Sequence, residues 1–290
     1  MISLQMKRVM AGIFLMSIIS MEAEAKVQGQ SIQIKGSDTM INLAQAWAEV
    51  FMEKNSESFI AVTGGGSGTG IAALLNGTCD IAASSRLMTP PEKDLAQRQG
   101  LDIQEYKVAL DGLAVVVHPQ NPVSQLTVDQ IADIFKGKIT HWQQLGGPNG
   151  PIVILSREVN SGTHVYFKEH VLRHGDPQRQ DEFSDSALMM PSSQAIVDEI
   201  SQNIYAIGYY GMGYVDSSQK ALKIARDINS PFYEPSIDNV IQGHYYISRP
   251  LLIYTAGQSQ GEVKKFIDFI LSAEGQEIVR DNDFVPLPKR

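Results

Sequence analysis

Three glycine- and serine-rich turns set the strongest constraint on how this chain folds: Gly36-Ser37-Asp38-Thr39, Gly64-Gly65-Gly66-Ser67-Gly68-Thr69-Gly70 and Asn160-Ser161-Gly162-Thr163. Each follows a short apolar run and precedes a stretch with helical periodicity. A strand that ends in such a turn and passes directly into a helix presents free backbone N–H groups and small hydroxyls at the helix N-terminus. That end carries a partial positive charge and accommodates an anion. One such turn says little, since Ser and Thr cap most helices. Three in one chain, with Arg157 four residues ahead of Ser161, predict one anion held from several sides.

The overall field gives such an anion no help. The 290 residues carry a net charge of −8, so local dipoles and donors must do the holding, and nucleic acid is not an expected partner. An apolar fraction of 43% is that of an ordinary globular protein, and the length suffices for two domains.

The first 25 residues read as a secretory signal peptide. Lys7 and Arg8 precede an apolar run from Val9 to Ile19, and Ala23-Glu24-Ala25 is a small-x-small cleavage pattern. The run is too short to span a bilayer. Cleavage would leave residues 26–290. The single cysteine, Cys79, lies inside an apolar segment, away from the cleavage site. It is expected to be a small core residue rather than a lipid anchor or half of a disulfide. An exported, unanchored chain of this kind fits the periplasm of a Gram-negative bacterium.

Along the rest of the chain strand-like and helix-like runs alternate, which predicts an α/β fold with mostly parallel sheets and helices on both faces. Ile32–Ile34, Phe59–Val62, Cys79–Ala83, Pro151–Leu155 and Ala206–Tyr210 read as strands. Ile41, Ala44, Trp47, Ala48 and Phe51 recur at helical spacing. Thr89-Pro90-Pro91-Glu92 and Thr127-x-x-Gln130 are capping boxes, the second opening a helix over Val128–Phe135. Ser192 or Ser193 caps a helix containing Ile196, Val197 and Ile200.

Two long apolar runs, Tyr106–Val117 and Tyr245–Tyr254, read as strands crossing between domains, with Gly112 granting the first an unusual backbone angle. Residues 228–243 read as loop, and one C-terminal helix is expected from about Glu262 to Arg280. These features predict a discontinuous first lobe, residues 26–109 and 246–290, and a second lobe of residues 110–245, with the ligand between them.

The shared segments Gly36–Met40, Gly64–Gly70, Ala109–Gly112 with Ala114–Val117, Ile134–Trp142, Arg157 with Asn160–Thr163, and Ala206–Tyr209 identify a resemblance. Over residues 30–290 the chain resembles the periplasmic phosphate-binding proteins of ABC importers. The resemblance implies a type II periplasmic-binding-protein fold: two α/β lobes, joined by hinge strands, that close on phosphate and deliver it to a membrane permease. It implies ligand contacts from Ser37, Asp38, Thr39, Ser67, Arg157, Ser161, Gly162 and Thr163. Some relatives carry an Asp where this chain has Ser85-Arg86, and there that Asp accepts the phosphate proton. Ser85 and Arg86 join the candidate site on that alignment. Arg86 either meets the ligand or holds Asp38.

The substitute proton acceptor is Asp38, whose alternative is an ordinary N-cap. An ionised carboxylate accepts a hydrogen bond from protonated phosphate and repels sulfate, which has no proton to offer. Arg157 has a surface ion pair as its alternative.

Other classes fit less well. The glycine run lacks the Gly-Lys-Ser/Thr ending of a P-loop, and the sequence around Ser67 lacks the last Gly of a nucleophile elbow. His164 has no carboxylate placed to orient it, so no enzyme is expected. His170 and His174 lack a third ligand, so no metal is expected. No cofactor is called for, and a monomer is expected. Another oxyanion, or an adhesive or sensory role on the same fold, stays open.

Overall fold

The computed structural model describes residues 31–288, and the expected signal peptide lies outside them. The first strand, β1 (Ser31–Gly36), buries Ile32 and Ile34 and turns Ser31 and Gln33 outward. It ends at Gly36, whose φ is +140° and where a Cβ would stand 2.1 Å from the Ala83 carbonyl oxygen. Only glycine lets the chain leave the sheet here. A single 3₁₀ turn, Asp38–Met40, leads into α1 (Ile41–Lys54), which buries Leu43, Ala44, Trp47, Ala48 and Phe51.

The chain continues through β2 (Phe59–Thr63), α2 (Ser67–Leu75), β3 (Ile81–Ser84) and α3 (Pro90–Arg98) to the long β4 (Ile103–Val117). After β4 come β5 (Gln125–Thr127), α4 (Val128–Phe135), β6 (Val153–Arg157), α5 (Gly162–Phe167), β7 (Leu188–Met190), α6 (Ser193–Gln202) and β8 (Ala206–Gly211). The last elements are β9 (Lys220–Ala221), β10 (Lys223–Ala225), α7 (Ile237–Ile241), β11 (Ser248–Ala256), α8 (Gly261–Ile270) and α9 (Ala273–Asp281).

The main sheet runs β2-β1-β3-β11-β4-β8-β6-β7. β1 is parallel to β2 and β3, and β6 is parallel to β7 and β8. The antiparallel pairs belong to the two crossing strands. β11 lies between β3 and β4, running from Ile103↔Ala256 to Gly112↔Ser248 with a bulge at Leu251/Leu252. The last five residues of β4, Leu113–Val117, pair instead with β8. One strand therefore belongs to both lobes.

Separate apolar clusters line the two faces of each half. Trp47, Phe51, Phe266 and Ile267 pack on one side of the first half and Ile71, Leu74 and Tyr254 on the other. Phe135, Trp142, Phe167 and Tyr209 do the same in the second half, opposite Leu155, Ile196 and Tyr210. Cys79 is buried and unpaired.

Four expectations change. Gly112 has no positive φ; the constraint is space, since a Cβ would stand 3.0 Å from Val240 Cγ2 and 3.1 Å from Met212 Sδ. The second crossing strand starts at Ser248, because the Tyr245 side chain is already buried, with its hydroxyl donating to the Leu113 carbonyl. Residues 228–243 contain α7, which at five residues is too short for periodicity to reveal. The C-terminal helix is two helices. Ser272 breaks it by capping α9 through the Gly275 N–H at 3.2 Å, and Gly275 packs so close that a Cβ would lie 2.2 Å from the Phe269 oxygen. The cap of α6 is Ser192, which accepts from the Ala195 N–H.

His164 illustrates how tightly the second half closes around a polar ring. It is buried against Phe183, with Nδ1 3.3 Å from Ser156 Oγ, which lies 2.7 Å from the Tyr209 hydroxyl. Burial, helped by nearby Lys168, lowers its pKa from 6.5 to about 4. The unfolded chain therefore binds the extra proton first as pH falls. Stability conferred by the neutral ring is complete above the unfolded value of 6.5, declines toward about 4, and then levels off. The whole decline amounts to about 3 kcal/mol at most. Urea denaturation of wild type and His164→Gln across this range should show a smaller acid loss in the variant; parallel curves would mean that His164 titrates normally.

Candidate functional site

The three turns converge between the lobes, and they touch. Thr39 Oγ1 of the first turn lies 2.9 Å from Thr163 Oγ1 of the third. Ser67 Oγ, at the start of α2, lies 3.4 Å from Ser85 Oγ and accepts the Ser85 N–H at 3.1 Å. Gly162, the first residue of α5, presses against both serines: a Cβ there would stand 2.3 Å from Ser67 Oγ and 2.7 Å from Ser85 Oγ. Four hydroxyls from two lobes thus surround one small space. The first N–H groups of α2 and α5 have no acceptor within their own helices.

Local packing explains why the turns can meet. Gly70 lets the first turn of α2 sit on the end of β1, where a Cβ would come within 2.4 Å of the Lys35 oxygen. The Ser37 N–H donates to Ala83 O at 2.8 Å, fixing the first turn to β3. Ser161 caps α5 through the Thr163 N–H at 3.2 Å. Asn160 reaches across the outer edge of the cleft: its carbonyl accepts the Gly68 N–H at 3.1 Å and its Nδ2 donates to Gly65 O at 2.9 Å. The lobes are therefore closed on each other.

Three arginines lie close by, and each faces a carboxylate. Arg157 is 1% exposed, which removes the surface-pair alternative. Its Nη1 donates to Ser193 Oγ at 3.0 Å and lies 3.1 Å from Asp38 Oδ2, while Nη2 reaches Pro191 O and Nε reaches Met190 O. One N–H of the fork is left over. Asp38 does not cap its own helix. Its Oδ2 crosses the cleft to accept the Ser193 N–H at 2.7 Å, at the N-terminus of α6, besides meeting Arg157. The helix end favours that negative charge. Oδ1 takes part in neither contact.

Arg86 turns elsewhere. Its two terminal nitrogens grip Glu92 bidentately, both at 2.8 Å. It does not hold Asp38; Arg157 does. Burial alone would raise the Glu92 carboxyl, but hydrogen bonds from Arg86 and the Thr89 N–H outweigh it and hold the pKa below the ordinary carboxylate range.

Arg249 went unnoticed in the sequence. It is 1% exposed, lies on β11 directly opposite Asp111 of β4, and bonds Asp111 Oδ2 through Nε at 3.0 Å and Nη2 at 2.8 Å. Its Nη2 also reaches Thr163 Oγ1 at 3.1 Å. The available signal was a charged residue inside each of the two apolar crossing runs, since a buried charge needs a partner.

Among the described residues no cluster of three or more His, Cys, Asp or Glu side chains is placed to hold a metal. His170 stacks on Tyr166 at 3.9 Å, and His174 faces Asp129. None of the helices among the described residues is long and apolar enough to cross a membrane.

Comparison with known proteins matches this geometry. The family model described as the PBP superfamily domain covers residues 20–274. The phosphate-binding protein PstS of Pseudomonas aeruginosa is 32% identical over 88% of this chain and 82% of its own. A crystal structure from Clostridium perfringens, assigned to a phosphate ABC transporter substrate-binding protein and holding bound phosphate, is 35% identical. It covers 89% of this chain and 100% of its own, with a TM-score of 0.80. An ABC-type phosphate transport receptor from Vibrio cholerae is 31% identical over 89% of this chain and 100% of its own, with a TM-score of 0.69. On this agreement over nearly its whole length, the chain belongs to the PBP superfamily and, within it, to the family of PstS phosphate-binding proteins.

Proposed function

We propose that this protein binds inorganic phosphate between its lobes in the periplasm and delivers it to the permease of an ABC-type importer. The observation that carries the reading is the meeting of Thr39, Ser67, Ser85 and Thr163 hydroxyls with the N-termini of α2 and α5. A tetrahedral oxyanion needs donors on every side, and short hydroxyls and backbone N–H groups supply them with little side-chain ordering. Ser37, Asp38, Thr39, Ser67, Ser85, Ser161, Gly162 and Thr163 form the wall of the site, with Arg157 behind Asp38. Arg86 belongs to its rim.

Asp38 gives selectivity. Oδ2 is committed to Arg157 and Ser193, which leaves Oδ1 to accept the proton of a protonated phosphate. Sulfate offers no such proton and meets repulsion. The protein works as a carrier and not as a catalyst, since the ring of His164 is occupied with Ser156 inside the core. Closure swings a lobe of residues 26–109 and 246–290 against one of residues 110–245, about the crossing strands.

Calorimetric titration of the mature chain in phosphate-stripped buffer should give one phosphate per chain, with sulfate and molybdate weaker. No heat and no thermal shift would overturn the reading. Asp38→Asn keeps the shape and loses the charge, so the phosphate-to-sulfate preference should narrow; an unchanged ratio would move the proton acceptor elsewhere.

Gly162→Ala tests closure. The added methyl collides with Ser67 and Ser85 only when the lobes are shut. Phosphate affinity should fall at least tenfold, which corresponds to about 1.4 kcal/mol. The melting temperature of the ligand-free protein should hardly move. Small-angle scattering should register less compaction on adding phosphate than in wild type, and equal compaction would place the collision outside the closing path.

A further inference from the structure

Two buried side-chain nitrogens among the described residues have no hydrogen-bond partner: Arg86 Nε and Arg249 Nη1. Arg86 has both terminal nitrogens on Glu92, so its working edge is occupied. Arg249 differs. Its Nε and Nη2 bind the same oxygen of Asp111, which occupies the side edge of the guanidinium. Asp111 is itself fixed, because its Oδ1 accepts the Met212 N–H at 3.0 Å and its residue is the register partner of Arg249. The plane of the guanidinium is therefore set, with the Tyr166 ring 5.7 Å from Cζ.

The end edge of a guanidinium so held, Nη1 beside Nη2, faces away from the carboxylate. Nη2 there reaches Thr163 Oγ1 at 3.1 Å and Thr39 Oγ1 at 3.4 Å. These are the hydroxyls that meet across the cleft, one from each lobe. The unpartnered Nη1 shares that edge. A buried guanidinium N–H without an acceptor is unfavourable, and the end edge has the spacing to give two parallel hydrogen bonds to one oxyanion.

We propose that Arg249 is a direct cationic ligand of the bound anion, offering Nη1 and Nη2 to its oxygens, and that Asp111 is the positioning residue that aims it. The inference rests on the phosphate reading and deepens it. The charge that meets phosphate comes from a crossing strand shared by the two lobes, whereas Arg157, with most of its donors engaged, chiefly holds Asp38. Thr39 and Thr163 can then rotate their hydroxyl protons toward the anion.

The test is titration of inorganic phosphate into the mature chain carrying Arg249→Gln, Arg249→Lys, Asp111→Asn, or Arg249→Gln with Asp111→Asn. Arg249→Gln should weaken binding roughly ten- to a hundredfold. Asp111→Asn leaves the guanidinium charge uncompensated, so it should retain or tighten binding and steepen its loss with added salt. The double variant should stay as weak as Arg249→Gln. If the pair merely ties two strands together, both single variants weaken alike and the double variant, whose amides can pair, returns toward wild type; that pattern overturns the proposal. Arg249→Lys keeps a charge opposite Asp111, so it tests the proposal even where Arg249→Gln fails to fold. It should fall between wild type and Arg249→Gln, and wild-type affinity would overturn the forked contact. Absence of binding by wild type overturns the phosphate reading beneath it, whereas normal binding by Arg249→Gln overturns this inference alone.

Discussion

The ladder between β4 and β11 is the constraint on which everything else depends. From Ile103 to Gly112 the two strands are joined register by register, and then β4 leaves its partner at Leu113 and enters the other half of the sheet. A hydrogen-bonded ribbon resists shear but tolerates twist, so it fixes which turns oppose each other while allowing the halves to swing. The site is assembled at the point of exchange. Asp111 and Arg249 are the last charged residues of the ribbon before β4 changes partner, and the Thr39 and Thr163 hydroxyls lie against them.

Charge is arranged in the site so that each cation is already answered. Arg157 faces Asp38, Arg86 faces Glu92 and Arg249 faces Asp111. With a net charge of −8 on the whole chain, discrimination cannot come from a positive field. It must come from the direction of individual donors and from the single acceptor oxygen that Asp38 leaves uncommitted. Buried pairs of this kind add little net stability, but loss of either partner strands the other, which makes their geometry hard to relax.

Much of this was legible in the sequence, and the reasons are local. Gly36, Ser67 and Ser161 sit where strands pass into helices, and turn chemistry is written over four or five residues. The alternation of runs disclosed the two-lobed α/β organisation, and the capping boxes at Thr89 and Thr127 formed where expected. What stayed hidden depends on contacts between distant segments. Asp38 reads as a cap from its neighbours, yet its partners are Arg157 and Ser193, more than a hundred positions away. Arg249 lies inside an apolar run with no turn beside it, and only the register with Asp111 explains its burial. The break at Ser272 was invisible for a different reason, since hydrophobic spacing continues across it.

Asn160 lies at the outer lip of the cleft, and the three contacts it makes with Gly65, Gly68 and Thr69 all reach across to the opposite half. Together with the Asp38 carboxylate, which likewise finds its side-chain partners only across the cleft, these groups have no substitute within their own lobe. Whenever the molecule opens, every one of them must be hydrated at once. Bulk water is thus the partner that makes the open form possible, and the cleft trades one set of hydrogen bonds for another with no large apolar surface laid bare. Opening and shutting can then proceed as an exchange between two wetted states of similar energy, a condition for a protein that must give up its cargo as readily as it takes it.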